Sequence, residues 1–551
     1  MTASTHSPLP SDPVAALAPV SLWVARLGSL DSPNARITLL QALRSLNRGN
    51  LSPDILTTLM QLDEQCQSIL DKAESRMKSS GRDVMAESAL SRDMQSIYQE
   101  FANGYKRFID DYLTQSADST SVPERIKEIT ARSIHCHCGI ASWTFFLSEA
   151  LPESFWRQLH ALYLFAEQNA FDTKTLAWYD GYPTTVANVY MRMLFLDMFN
   201  TGNLTPQQIS IADKRLHDWC GEMKLEHDYA NGKHHHHVNT AEAKGLQKIT
   251  GIEPLQLDSM RYLDTGQLGT HIARAKTSIR DGNPDTALGF NLKEFPVGEY
   301  IDLLDKLARI CPPPGGAGAQ RIHDRARAKA LSVELMFGMD QVIDAIRSRS
   351  ANPFSNVKAE SLTLDRDEEA DLKMFGFVTD RTRLAKLESA AATSNDNALP
   401  FKLHDHSVSG FGVTTDKNTS HSVALGTIVA IRTSGDPQWK IGTVVRKVPH
   451  DNDLILIGIE QISATPVPVT LQVYDPDFSI DMSDKSIDAL FLPAQAGKAD
   501  SVLIRAGQYS SNTQHKLITK KGTFIIRLNR VIKQGTHWVA AGLEVISKAQ
   551  S

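Results

Sequence analysis

The stretch that decides the fold reads DHSVSG at residues 405–410 and is followed by short runs rich in β-branched residues. Turn signals separate the runs, among them SGDP at residues 434–437 and DND at residues 451–453. Short strands divided by turns are typical of a small β-barrel. We therefore predict a small barrel over residues 400–468. The β-rich runs are residues 401–404, 427–432, 440–446 and 454–459.

The spacing of apolar residues divides the rest of the chain into segments of different predicted structure. Residues 15–350 are predicted to be mainly helical, because apolar side chains recur there at spacings of three and four. Residues 216–268 are less regular and are compatible with a short hairpin. Residues 1–14 are predicted to be a disordered tail and residues 351–399 a polar linker. Residues 469–551 are predicted to be a second β-rich unit or the completion of the barrel.

The predicted fold class is multidomain α + β, with a large all-α N-terminal region followed by a small barrel and an additional β-unit. Within the helical region, the segment from Arg321 to Arg349 has the length and periodicity of one long helix. Trp143, Trp156 and Trp178 are expected in the helical core, and Trp439 is expected to pack on a barrel strand.

Composition indicates a soluble multidomain protein of 551 residues, 42% hydrophobic and 22% charged. From residue 400 onward there are 16 Lys+Arg and 13 Asp+Glu, so this part carries +3 and the remainder −8. The asymmetry suits a small anionic ligand but is too weak for a long nucleic acid. Five scattered cysteines give no disulfide framework, and neither a signal peptide nor a membrane span is recognisable. We expect a cytoplasmic protein.

The stretch at residues 405–410 carries the pattern D-x-S-x-x-G through Asp405, Ser407 and Gly410. Asp405 and Ser407 are two residues apart, so on a strand they point to the same side. A carboxylate and a hydroxyl together can accept hydrogen bonds from a donor-rich edge such as that of guanine. Gly410 permits a close backbone approach or a positive φ.

These positions and the strands after them resemble the PilZ family of bacterial cyclic-di-GMP receptors over residues 401–465. Asp405, Ser407 and Gly410 match the family's D/N-x-S-x-x-G motif position for position. The resemblance implies a six-stranded barrel and cyclic-di-GMP as ligand, with this motif holding a guanine. It also implies an R-x-x-x-R segment upstream that clasps phosphates and guanine edges. The candidate cations are Arg381 and Arg383, which are two residues apart, with Ala385 at the fourth position after Arg381.

The leading functional hypothesis is therefore a non-enzymatic signalling protein that binds cyclic-di-GMP through Arg381, Arg383, Asp405, Ser407 and Gly410. Ligand binding would alter the docking of the helical domain onto an unidentified protein partner. The alternative is a protein-interaction adaptor whose degenerate PilZ-like barrel binds no nucleotide, and the spacing of Arg381 and Arg383 favours it.

Two histidine-containing runs raise a third hypothesis, a metal-dependent enzyme. The first run is His135-Cys136-His137-Cys138, to which His217 and Cys220 would add ligands only through tertiary contacts. The second is His234–His237, which suits a polar loop or an edge strand. The side chains of alternating residues on a helix do not converge on one ion, so we predict no metal site. We also predict no catalytic residues. No nucleophile elbow, P-loop or dinucleotide fingerprint is present.

Overall fold

The computed structural model divides the chain into two compact units, Met1–Arg321 and Ile322–Ser551. The residues that it describes are 13–30, 32–78, 84–115, 122–176, 183–200, 202–249, 257–282, 297–315, 326–327, 332–350, 371, 374, 399–421, 423–433, 438–450, 454–474, 486–494, 499–519, 522–535 and 537–548. The predicted fold class, a helical N-terminal region followed by β-barrels, is confirmed.

Helices dominate the first unit. Several begin at a side chain that accepts a backbone N–H of the first turn, as Ser52, Thr185, Thr205 and Asp264 do. The helices are α1 (Pro13–Leu17), α2 (Val20–Gly28), α3 (Ser32–Arg48), α4 (Pro53–Gln65), α5 (Gln67–Lys78), α6 (Val84–Gln115), α7 (Glu124–Phe146), α8 (Glu153–Gln168), α9 (Val186–Phe199), α10 (Pro206–Trp219), α11 (Thr265–Arg280) and α12 (Val297–Ile310).

The core of this unit is built around α7, which packs against α6, α8, α9 and α10. Its second half is buried on all sides, which explains why its sequence is apolar without a clear polar face. Trp143 and Trp156 are buried as predicted, at 3% and 5% exposure. Trp178 lies outside the described residues.

A small antiparallel sheet also lies in the first unit, with strand order β2-β1-β3. The strands are β1 (His236–Asn239), β2 (Gln247–Lys248) and β3 (Met260–Leu263). The second half of the second histidine run therefore lies in strand β1. Strands β1 and β2 form a short hairpin, which the sequence of this irregular region allowed.

The second unit begins with a barrel in which six strands close a ring in the order β6-β5-β8-β9-β10-β7, with β7 paired back to β6. A short strand, β4, adds to β6 beside β5. The strands are β4 (Ala326–Arg327), β5 (Ser332–Phe337), β6 (Leu399–Ser407), β7 (Gly410–Asp416), β8 (Ile428–Thr433), β9 (Lys440–His450) and β10 (Leu454–Ser463).

The predicted long helix over Arg321–Arg349 is wrong. Residues Ser332–Phe337 form β5, which pairs with β6 on one side and β8 on the other. Val333 and Leu335 are fully buried in the barrel core, so tertiary pairing overrides the local helical pattern. Among the described residues of the segment, the helical ones are those of α13 (Met339–Ser350), and Gly338 before this helix has a φ of +88°.

The C-terminal strands form a second closed barrel of their own, in the order β11-β12-β13-β16-β15-β14. These strands therefore close a ring separate from the first barrel. The remaining elements of this unit are α14 (Lys417–His421), β11 (Val467–Val473), β12 (Ser486–Leu492), β13 (Ser501–Arg505), β14 (Gln514–Thr519), β15 (Gly522–Gln534) and β16 (Trp538–Lys548).

Helix α13 joins the two barrels through an apolar cluster. Val342 and Ile346 of the helix share this cluster with Trp439 of the first barrel and Trp538 of the second. The indole Nε1 of Trp538 also donates to the Gly426 carbonyl at 2.8 Å. Trp439 thus has the packing role predicted for it. Among the described helices, none combines the length and apolar character that a bilayer span requires.

A lysine lies inside the first barrel. Lys447 of β9 is paired with Ile457 of β10, which is fully buried. Lys447 itself is 7% exposed. Its Nζ donates to the Ser420 carbonyl of α14 at 2.7 Å. Burial lowers the pKa of Lys447 to about 8, because the charged amine is separated from water.

We predict that this lysine makes folding pH-dependent. The unfolded chain binds the Lys447 proton more tightly than the folded chain, so stability rises as the pH increases from about 8 toward the ordinary lysine value. Because of Lys447, the free energy of unfolding should increase by about 2 kcal/mol between about pH 7 and about pH 9.5. Urea denaturation at both pH values measures this increase, and the Lys447→Met variant should not show it.

The matched control is Lys402→Met, which removes an exposed lysine from β6 of the same barrel. This variant should keep the pH dependence of the wild type. Equal pH dependence in wild type and Lys447→Met would contradict the assignment of the effect to the buried amine.

Candidate functional site

The D-x-S-x-x-G stretch folds as the hairpin between β6 and β7. Ser407 is the last residue of β6 and pairs with Gly410, the first residue of β7, across a two-residue turn. The backbone N–H of Gln461 on β10 donates to the Ser409 carbonyl at 2.9 Å and holds the turn against the sheet. The structure therefore brings Asp405, Ser407 and Gly410 together, as their spacing predicted.

Gly410 is required by close packing of the backbone. A Cβ atom at this position would clash with the carbonyl oxygen of Ile459 on β10. Its φ is not in the left-handed region, so of the two roles expected for this glycine the close approach is the one observed.

Asp405 is held by a β-bulge. The register between β6 and β7 shifts between Leu403 and Asp405, so that Asp405 lies opposite Gly412. The carboxylate leans over that glycine: a Cβ atom at Gly412 would lie 2.5 Å from Oδ1 of Asp405. Asp405 is 8% exposed, and its Oδ2 lies 3.2 Å from Nδ1 of His404.

A row of paired residues extends from Asp405 across the outer face of the barrel. Asp405 is paired with Gly412, Gly412 with Gly458, and Gly458 with Arg446. The next residues, Val413 and Ile457, are fully buried inside the barrel, so this row faces outward. We call the row of Asp405, Gly412, Gly458 and Arg446 the glycine row. Both of its glycines are buried, because the Asp405 carboxylate lies over Gly412 and the Arg446 side chain lies against Gly458.

Further polar groups lie on the β6–β7 hairpin and on the strand paired with it. The hydroxyls of Ser407 and Ser409 are 3.1 Å apart. Glu460 of β10 is paired with Gly410 of β7, and its Oε1 lies 2.6 Å from Nζ of Lys533 on β15. These groups therefore offer hydrogen-bond acceptors, which match the donor edge of a base such as guanine.

The predicted cations Arg381 and Arg383 lie outside the described residues. A second arginine pair has the R-x-x-x-R spacing, namely Arg321 and Arg325, and it directly precedes β4 in the sequence. Strand β4 pairs with β6 so that Arg327 lies opposite Asp405. The spacing of this pair is visible in the sequence alone. The wrong prediction of a helix over Arg321–Arg349 assigned both arginines to that helix and not to a ligand-binding segment.

The histidine and cysteine runs have structural partners. In α7, His137 Nδ1 lies 2.7 Å from the Ser133 carbonyl, and burial raises the pKa of the Cys138 thiol to about 12. His234 Nε2 lies 3.0 Å from Glu226, whereas His236 Nδ1 lies 3.0 Å from the Thr265 hydroxyl. Within the described ranges, no group of three or more His, Cys, Asp or Glu side chains is arranged to hold a metal ion.

We predict that Gly410→Ala destabilises the first barrel by about 2 kcal/mol, because the added methyl group forces two paired strands apart. Thermal unfolding of the full chain measures the loss. The control is Gly507→Ala, since a Cβ atom at Gly507 meets no atom within 4 Å. An unchanged unfolding temperature for Gly410→Ala would contradict the close approach.

Comparison with known proteins identifies the helical region. Residues 18–230 match the family model described as the cyclic-di-GMP receptor FimW, N-terminal domain. This match spans helices α2 to α10. No curated protein and no solved structure matches the chain significantly. Residues 18–230 are thus similar to the N-terminal domain of a cyclic-di-GMP receptor, which confirms the expected resemblance to such receptors with a helical N-terminal region.

Proposed function

We propose that this chain is a non-enzymatic cytoplasmic signalling protein whose first barrel binds cyclic-di-GMP at the Asp405 end of the glycine row. The observation that carries the proposal is the match of residues 18–230 to a domain of a cyclic-di-GMP receptor. The PilZ-like hairpin on a closed six-stranded barrel supports the location of the site.

In this proposal Asp405 and Ser407 read a guanine. Both carry acceptors on the outer side of β6, and the carboxylate binds N–H donors more strongly than a neutral group does. Gly412 makes room for the Asp405 carboxylate, because a Cβ atom there would lie 2.5 Å from Oδ1 of Asp405. Gly410 contributes by letting the hairpin approach β10.

The phosphates need arginines close to the guanine site. The register of β4 favours Arg321 and Arg325, because they precede a strand that ends opposite Asp405. Arg381 and Arg383 are the alternative candidates for contacting the phosphates. Arginine suits it because its planar fork of N–H groups pairs with two phosphate oxygens at once.

The helical region is proposed as the output of the receptor, docking an unidentified protein partner. For ligand binding to alter this docking, cyclic-di-GMP must bind the two docking states with different affinity. An arginine segment that folds over the ligand would supply such a difference, since its contacts form only in the bound state.

We predict that isothermal titration calorimetry detects cyclic-di-GMP binding to the full chain. Asp405→Ala should weaken binding at least about tenfold, because it removes the charged acceptor for the guanine. Arg325→Ala should weaken it by a similar factor, whereas Arg381→Ala and Arg383→Ala should stay within about twofold of wild type. Asp405→Asn, which keeps an acceptor oxygen, should retain part of the affinity.

The matched control is Arg530→Ala, which removes an exposed arginine from the second barrel. Absence of heat at tens of micromolar cyclic-di-GMP would remove the receptor proposal and leave the adaptor that binds protein only. Loss of binding in Arg381→Ala, with Arg325→Ala unaffected, would instead reverse the assignment of the arginines.

A further inference from the structure

His404 lies beside the Asp405 carboxylate on the outer face of the first barrel. Its Nδ1 is 3.2 Å from Oδ2 of Asp405, which is within hydrogen-bond distance. The register with β7 shifts between Leu403 and Asp405, so His404 is the extra residue of the bulge. Leu403 is 5% exposed and packs in the barrel core, whereas 34% of the His404 side chain is exposed. The bulge therefore places His404 and Asp405 side by side on the outer face.

The chemistry of this pair sets the direction of its hydrogen bond. An ionised carboxylate only accepts hydrogen bonds, so Nδ1 of His404 carries the proton and donates to Oδ2 of Asp405. The other oxygen, Oδ1, lies over Gly412. A carboxylate has about four lone-pair sites, so Asp405 can accept from His404 and still accept from the N–H groups of a base. The imidazole thus holds the carboxylate without using up its acceptors.

A second histidine packs against the first. The ring centroids of His404 and His450 are 5.0 Å apart and the rings are nearly perpendicular, at 85°. This is the edge-to-face arrangement that aromatic rings prefer. His450 is the last residue of β9, and β10 and β7 lie between β9 and β6 in the sheet. The ring contact therefore reaches across two strands and restricts the orientation of the His404 ring.

We propose that His404 is a positioning residue for guanine recognition, which holds the Asp405 carboxylate in the orientation that accepts the base, and that His450 steadies the His404 ring. This inference rests on the proposed function and adds to it two residues outside the D-x-S-x-x-G and arginine segments. Both histidines act through Asp405. Because the carboxylate is ordered before the ligand arrives, binding loses less side-chain entropy.

The test is calorimetric titration of the full chain with cyclic-di-GMP. His404→Phe keeps a flat ring but removes the Nδ1 donor, and it should weaken binding about five- to tenfold. His404→Asn can present an N–H group near the position of Nδ1, so its affinity should stay within about twofold of wild type. His450→Ala should weaken binding about three- to fivefold, whereas His450→Phe keeps a ring and should bind as wild type does.

The matched control is His537→Ala, which removes an exposed histidine between β15 and β16 of the second barrel and should leave binding unchanged. A double-mutant cycle shows whether His404 acts through Asp405. In the Asp405→Ala background, His404→Phe should change the affinity by less than about twofold, because the carboxylate that His404 holds is gone. A general weakening of the barrel would instead lower the affinity equally in both backgrounds.

Equal losses in the two backgrounds would overturn the proposal in favour of a structural role for His404. Tighter binding by His404→Phe would also overturn it, since the imidazole would then compete with the base for Asp405. Wild-type affinity in His404→Phe, with affinity lost in Asp405→Ala, would overturn this inference and leave the proposed function standing. Absence of binding by the wild type would remove both proposals, so the two failures are distinguishable.

Discussion

Closure of the first barrel depends on one non-local pairing, that of β5 between β6 and β8. Without this strand, the sheet from β8 to β6 would be open and would expose two edges. The buried side chains of Val333 and Leu335 supply the apolar contacts that hold β5 in place. The pairing also positions β4, because it lies just upstream and adds to the same edge of β6.

The same strand links the barrel to the rest of its unit. Helix α13 starts directly after β5 and fills the apolar cluster shared by the two barrels. Ion pairs from both of its ends reach the second barrel, Asp340 with Arg505 and Arg347 with Asp488. The two barrels are therefore joined by a buried apolar cluster, by two ion pairs at the surface and by the hydrogen bond from Trp538.

Local patterns were sufficient to predict the hairpin that carries the candidate site. The turn residues and the spacing of Asp405, Ser407 and Gly410 are local properties, and the structure preserves them. The position of β5 was not predictable in this way, because its partners are remote in the chain and its flanks have a helical period. The glycine row was not predictable either, because Gly412, Gly458 and Arg446 come together only through the register of three paired strands.

The central claim is that cyclic-di-GMP binds the outer face of β6, β7 and β10. Hydrogen–deuterium exchange of the full chain, with and without saturating cyclic-di-GMP, tests it most directly. We expect slower exchange in peptides that cover residues 403–413 and 456–460, and unchanged exchange on β14 and β15 of the second barrel. Protection confined to the second barrel, or unchanged exchange at residues 403–413 under saturating ligand, would contradict the claim.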